Sequence, residues 1–110
     1  MHLVDTTTFE PLADRKYGAG QILASDTASA RVIRVAPGAD LPPHTHGVSD
    51  LFLYVVSGRG LITAPDGTQT PFPPGALAHF TGDEELRVGN TGDAELTLLA
   101  VLSPPFPPKR

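Results

Sequence analysis

Residues 51–72, with the sequence LFLYVVSGRGLITAPDGTQTPF, carry the strongest indications of the fold. The apolar run 51–57 is too short for a helix and is followed by a glycine, so it predicts a strand buried on both faces at the centre of the core. Residues 61–64 and 68–72 then flank a turn that contains Asp66 and Gly67, a pair that readily adopts the backbone angles of a tight turn. We therefore predict a β-hairpin over 61–72.

Similar runs occur on both sides of this stretch. Turn residues separate apolar or alternating runs at 21–24, 29–36, 76–81, 85–89 and 95–102. The last of them could form a helix by composition, but it lacks a capping box and ends before two prolines, so a strand is predicted. About eight short strands with turn signals every ~8–12 residues favour an all-β fold, either a sandwich or a barrel of the jelly-roll type.

The composition agrees with one all-β domain. Twelve prolines and eleven glycines among 110 residues leave little room for helices, and a chain of this length can build only one core. Since residues 1–20 show no sustained period, we expect an irregular N-terminal arm there, with at most one edge strand. We place the domain at 21–103 and an extended proline-rich tail at 104–110.

Charge and composition argue against several functions. Eight basic against twelve acidic residues give a net charge of −4, and the basic residues are scattered, so we expect no nucleic-acid partner. No apolar run approaches the ~20 residues that cross a bilayer, and the first five residues do not resemble a signal peptide, so we expect a soluble, cytoplasmic protein. Without cysteine, any metal must bind to histidine, carboxylate or water.

Three histidines and one aspartate are the candidate site. His44 and His46 lie in the segment PPHTH, just before the central strand, and an extended backbone would point both rings to one face. Asp50 follows the pair, and His79 lies in a later strand. Imidazoles and a carboxylate around a divalent ion leave coordination positions open for substrate or oxygen.

Simpler interpretations of these residues exist. A His-x-His pair in a proline-rich loop is usually a solvated polar segment. Asp50 can begin the strand and remain solvated while Leu51 faces the interior, which would leave a three-histidine site. His79 can be a hydrogen-bonded residue of the wall.

The spacing of these residues resembles the two motifs of the cupin superfamily over about residues 30–103. The first motif, a Gly, five residues, His-x-His, three or four residues, a Glu, six residues and a Gly, is matched by Gly38, His44, His46 and Gly58. The second, a Gly, five residues, Pro-x-Gly, two residues and a His, is matched by Gly67, Pro73 and Gly75. The resemblance implies a double-stranded β-helix (jelly-roll) barrel, and usually a homodimer.

The resemblance also implies a divalent metal inside the barrel, held by His44, His46, His79 and a carboxylate, here Asp50. Iron, manganese, nickel and zinc all suit these ligands. Two positions depart from the motifs by one residue, because the family's glutamate falls on Leu51 and its last histidine on the residue before His79. A one-residue slip turns a strand side chain to the other face, so Asp50 and His79 reach the interior only if a β-bulge or a loop redirects them.

Two functions are consistent with the sequence. The first is a metal-dependent enzyme acting on a small molecule, dioxygenase-like or isomerase-like, with His44, His46 and His79 as ligands and Asp50 as a fourth ligand or a base. The second is a binding or sensing module that holds a small ligand, with or without metal, and performs no turnover. The enzyme is the first expectation and the binding module the alternative, although the motif regions offer no second carboxylate or lysine as a general base, which weakens the case for catalysis.

Overall fold

The computed structural model describes residues 1–8 and 15–105. Within them, the chain forms eight strands: β1 (Tyr17–Ala24), β2 (Ser29–Val35), β3 (Asp50–Ser57), β4 (Gly60–Thr63), β5 (Gln69–Phe72), β6 (Leu77–Phe80), β7 (Val88–Asn90) and β8 (Leu96–Ser103). The described residues form no helix that could cross a membrane. The predicted all-β class is confirmed.

The strands form two antiparallel sheets around one core. The five-stranded sheet has the order β1-β2-β8-β3-β6, and the three-stranded sheet has the order β5-β4-β7. Both sheets contribute to a single cluster of buried apolar side chains, with Leu53 and Leu98 from the larger sheet and Phe72 and Val88 from the smaller one. This arrangement is a double-stranded β-helix, or jelly roll, as the sequence predicts.

Strand β3 lies between β8 and β6 in the larger sheet. Its inward side chains Leu51, Leu53 and Val55 are at most 1% exposed, whereas Phe52 and Tyr54 are 40% and 38% exposed. The prediction that this strand is buried on both faces is therefore wrong. The apolar run is unbroken because the outward positions of this strand also hold aromatic residues. Their face of the sheet is only partly covered by the described residues.

The predicted hairpin is confirmed at β4 and β5. The two strands pair from Gly60↔Phe72 to Thr63↔Gln69. Gly67 in the turn has a φ of +89°, which a residue with a side chain rarely adopts. The turn is closed further by the Thr68 amide, which donates to the Asp66 carboxylate at 2.9 Å.

The first strand begins earlier than predicted, and parts of both ends of the chain lie outside the described residues. Strand β1 begins at Tyr17, earlier than the predicted start at Gln21, because its glycine-rich beginning pairs with β2 in the register Tyr17↔Val35. Residues 9–14 of the predicted arm and 106–110 of the predicted tail lie outside the described residues.

Candidate ligand site in the lumen

The connection between β2 and β3 carries His44 and His46 past the smaller sheet. The Leu41 amide donates to the Val88 carbonyl at 2.9 Å, and the Leu86 amide donates to the His44 carbonyl at 2.8 Å. These hydrogen bonds attach the connection to the segment that leads into β7. Both histidines then face the same cavity, as expected for positions two residues apart in an extended chain.

This cavity, which we call the lumen, lies inside the fold and has a volume of about 300 Å³. Most of its wall is apolar and includes Ile33, Leu51, Leu86, Ala100 and Leu102. The polar side chains of the wall are Tyr17, Arg31, His44 and His46. A mostly apolar wall with a few converging polar groups is typical of small-molecule sites.

A second depression, of about 380 Å³, is lined by residues of the smaller sheet and the connection before it, among them Asp40, Thr63, Gln69 and Arg87. It is the larger of the two, but its described lining includes no histidine and none of the predicted site residues. We therefore place the candidate site in the lumen, where the motif residues lie.

The ring of His44 is fixed by its own segment. Its Nδ1 lies 2.8 Å from the carbonyl oxygen of Pro42. A carbonyl can only accept a hydrogen bond, so Nδ1 carries the proton and the Nε2 of the neutral ring keeps its lone pair. The rings of His44 and His46 meet edge to face, with centroids 4.6 Å apart and planes at 64°. His44 therefore offers one basic nitrogen next to a second imidazole.

His46 is held by its backbone and is 4% exposed. Its amide donates to the Gly82 carbonyl at 2.8 Å, and its carbonyl accepts from the Ser49 amide at 3.0 Å. Burial is the largest cause that lowers the pKa of His46, to about 4, and the charges of His44 and Arg31 lower it further. The imidazole is therefore neutral at pH 7.

Arg31 was not among the predicted site residues. It lies on β2 opposite Ala100 of β8 and lines the lumen together with Ile33. The sequence does contain a signal for it, because strand alternation places Arg31 on the same face as Ile33 and Val35. A charged residue on the apolar face of a strand indicates either a buried ion pair or a ligand site.

Asp50 and His79 lie on the outer face of the larger sheet. Strands β3 and β6 pair without a bulge, with Leu51 opposite Phe80 and Phe52 opposite His79. The Nε2 of His79 lies 2.8 Å from the Asp50 Oδ1, and the side chains are 48% and 51% exposed. The imidazole also stacks on Phe52, with centroids 4.8 Å apart. The structure thus brings these two together, but not with His44 and His46.

Apolar side chains occupy the positions that the motif spacing assigns to the family's remaining ligands. Leu51 lines the lumen, and Ala78 packs against the core. Among the residues described, no three His, Cys, Asp or Glu side chains come close enough to share a metal ion. Two imidazoles beside a guanidinium do not fit a four-ligand site for a divalent cation.

Solved structures share this architecture. A conserved protein with a double-stranded β-helix domain from Klebsiella pneumoniae matches with a TM-score of 0.87 and 16% identity, over 94% of this chain and 90% of that one. An RmlC-like cupin protein from Desulfovibrio desulfuricans matches with a TM-score of 0.84 and 20% identity, over 96% and 99%. A predicted oxalate decarboxylase from Thermotoga maritima matches with a TM-score of 0.76 and 18% identity, over 93% of this chain and 98% of that one.

Identities this low show the fold alone. A search of curated proteins finds no match to the chain. The family model of the cupin domain, in contrast, matches residues 31–102, which is more than half of the sequence. The matched span includes both histidines of the lumen and runs from β2 into β8, and it shows that this chain belongs to the cupin family.

Proposed function

We propose that this protein binds a small molecule in the lumen and that His44 and His46 contact it. The observation that carries this proposal is the lumen itself, a cavity of about 300 Å³ in which two imidazoles converge within an apolar wall. Its volume is at the small end of the ~300–1,000 Å³ typical of ligand sites. The ligand is therefore a compact molecule, held mainly by apolar contacts and oriented by a few hydrogen bonds.

Binding without turnover is the function that the geometry supports best. The described residues of the lumen include no carboxylate and no lysine that could exchange a proton with a substrate. His46, with a pKa of about 4, is a weak base at neutral pH, whereas efficient general bases titrate near the working pH. These features favour the binding or sensing module of the two functions that the sequence allows.

The test is a ligand screen by thermal shift on chelator-treated protein, with a library of small acids, amides, alcohols and sugars. A compound that binds the folded state raises the unfolding temperature. We expect hits that are lost in His46→Ala and retained in the matched outer-face variant His79→Ala. The absence of hits with the parent protein, or their equal loss in both variants, would contradict the proposal.

A metal-dependent enzyme, dioxygenase-like or isomerase-like, is the second candidate. The bond from His44 to the Pro42 carbonyl favours it, because metal-binding histidines commonly donate their other ring N–H to such a group. With the outer pair, Asp50 and His79, away from the lumen, the described donors for the ion are the two imidazoles. Elemental analysis of untagged protein tests this candidate: one bound ion per chain that His44→Ala removes would support it. Metal-free protein would contradict it.

We also propose a homodimer, on the basis of the family resemblance and of apolar side chains on the outer face of the larger sheet. Phe52 and Tyr54 on β3 are partly exposed, and Leu77 on β6 is 67% exposed. Light scattering at tens of micromolar should give twice the mass of the chain. A monomeric mass would contradict this proposal.

A further inference from the structure

We propose that the depression on the outside of the smaller sheet is a second binding site, and that it takes a neutral cyclic polyol such as a monosaccharide. The depression has a volume of about 380 Å³ and, among the described residues, shares no polar side chain with the lumen. The two sites would bind their ligands through different residues, so this proposal goes beyond the function of the lumen and does not depend on it.

Strand alternation places the depression on the outer face of the sheet. Ile62 and Val88 pack against the core, so their neighbours Leu61 and Gly89 face outward. Leu61 lies opposite Gly89 across β4 and β7, and Asp40 lies opposite Gly89 on its other side. Leu61, Gly89 and Asp40 therefore form adjacent parts of the wall of the depression.

Gly89 makes room for the Asp40 carboxylate above the sheet. It is not among the glycines with positive φ, so its backbone angles do not require a glycine. A Cβ at position 89 would instead overlap the Asp40 Oδ1 and lie 3.3 Å from the Asp40 Cγ. A glycine inside a strand often marks a place where a ligand comes close to the backbone. The carboxylate thus lies over β7 as an acceptor, on the side of the sheet that Leu61 also faces.

The other polar side chains of the depression supply donors as well as acceptors. Thr63 lies opposite Gln69 across β4 and β5, and its amide donates to the Arg87 carbonyl at 3.0 Å. Thr63, Gln69 and Arg87 therefore form a row across the outer face, next to the row that contains Leu61. The guanidinium can only donate hydrogen bonds and the Asp40 carboxylate can only accept them, whereas the hydroxyl and the amide can do both.

The charges around the depression favour a neutral ligand. The Nε–H of Arg87 donates to the Glu85 carboxylate at 2.6 Å, so the guanidinium already has a counter-charge. An anionic ligand would compete with Glu85 and would be repelled by Asp40. A cation would be attracted by Asp40 at an exposed position, where an ion pair contributes little. It also could not accept hydrogen bonds from Arg87 or Gln69.

Hydroxyl groups match this combination of side chains, because each hydroxyl both donates and accepts. Two adjacent hydroxyls of a sugar can donate to the two oxygens of the Asp40 carboxylate. A further hydroxyl can accept from Arg87, whose side chain is 49% exposed and whose guanidinium has donors besides the Nε–H that binds Glu85. The C–H groups of the sugar ring can then pack on Leu61 and Pro43, which belong to the same lining.

Titrations followed by NMR amide shifts test this proposal at the level of single residues. The probes are D-glucose, D-galactose, D-mannose and D-xylose at millimolar concentrations. We expect at least one of them to shift the amides of 61–63 and 87–91 in a saturable way, and to leave the amide of Leu51 in the lumen unshifted. Cyclohexanol, cyclohexylamine and cyclohexanecarboxylate, which carry a single polar group on a ring, should bind more weakly than the sugar.

Two variants test the part played by Asp40. Asp40→Asn keeps the shape of the side chain but removes its charge, and should weaken sugar binding about fivefold, because hydrogen bonds to charged groups are stronger than those between neutral groups. Gly89→Ala should also weaken binding, since the added Cβ displaces the carboxylate. Asp93→Asn, at an exposed acidic residue outside the described lining, and His46→Ala in the lumen should bind the sugar like the parent protein.

The outcomes separate this site from the lumen. Absence of a saturable shift with all four sugars overturns the proposal, as does binding that shifts only amides of the lumen. Binding of any single-group probe as tight as that of the sugars overturns the polyol as the ligand. Equal affinity of Asp40→Asn and the parent protein overturns the part played by Asp40, whose exposed position lets the variant fold. The library screen and His46→Ala decide the function of the lumen separately.

Discussion

The Nε2–H of His79 donates a 2.8 Å hydrogen bond to the Asp50 Oδ1 across β6 and β3, on the face of the sheet opposite to the lumen. The pairing follows directly from strand alternation. Leu51, one residue after Asp50, points inward and lines the lumen, so its neighbour points outward.

Asp50→Asn and His79→Gln should therefore have little effect on the lumen. We expect each to change the free energy of unfolding by no more than about 1 kcal/mol, as for other exposed ion pairs. Ligand affinity and metal content should equal those of the parent protein, whereas His46→Ala should lose ligand affinity. Urea unfolding, elemental analysis and calorimetry measure the three quantities. Loss of metal in His79→Gln would show that the outer residues turn inward and complete a metal site.

The stability of the metal-free protein should fall as the pH drops from about 6.5 to about 4. In the unfolded chain His46 protonates near pH 6.5, whereas in the folded protein its pKa is about 4, so the unfolded state binds more protons in this window. At about 1.4 kcal/mol per pKa unit, the expected loss is about 3 kcal/mol. Urea unfolding at a series of pH values should show this slope in the parent and a much smaller one in His46→Gln. Equal slopes would contradict the prediction.

Gly82→Ala should weaken binding in the lumen although residue 82 is not part of its described lining. A Cβ at this position would overlap the carbonyl oxygen of Gly47 and lie 2.9 Å from that of Ser49. The Gly82 carbonyl also accepts the hydrogen bond from the His46 amide, so the displaced loop would move the imidazole. Calorimetry with a hit from the screen measures the loss. As a control, Gly75→Ala is strained by its φ of +87° but meets no atom within 4 Å, and should retain binding.

Gly58→Ala should destabilise the fold more than Gly38→Ala. Both glycines have positive φ, +87° and +77°. An alanine in this conformation costs about 1–2 kcal/mol. At Gly58 the added Cβ would also lie 2.6 Å from the Glu95 carbonyl oxygen, whereas at Gly38 it meets nothing within 4 Å. Urea unfolding compares the two variants, and equal destabilisation would contradict the prediction.

Local signals were sufficient to predict most of the fold. The β4–β5 hairpin depends on Asp66 and Gly67, whose turn geometry is a property of a few adjacent residues. The beginning of β1 could not be predicted in this way, because its glycines have little preference for a strand and pair only when β2 is present. The outer face of β3 was also mispredicted, since an aromatic side chain gives the same apolar pattern whether its face is covered or open.

The candidate site was predictable only in part. The spacing of His44 and His46 leads to a shared face because alternation is local. The side on which Asp50 and His79 lie depends on whether β3 and β6 pair with or without a bulge, which is a property of the tertiary structure. Arg31 carried a signal in its strand, but its place in the wall of the lumen becomes visible only when the other lining residues are known.

The two imidazoles of the lumen differ in exposure, and this difference can be used to detect whether the lumen is occupied. His44 is open to solvent while His46 is almost fully covered, although both line the same cavity. A reagent that acylates imidazoles should reach the first ring long before the second. Mass spectrometry of the acylated protein would thus show when the entrance of the lumen is occupied, before the occupant has been identified.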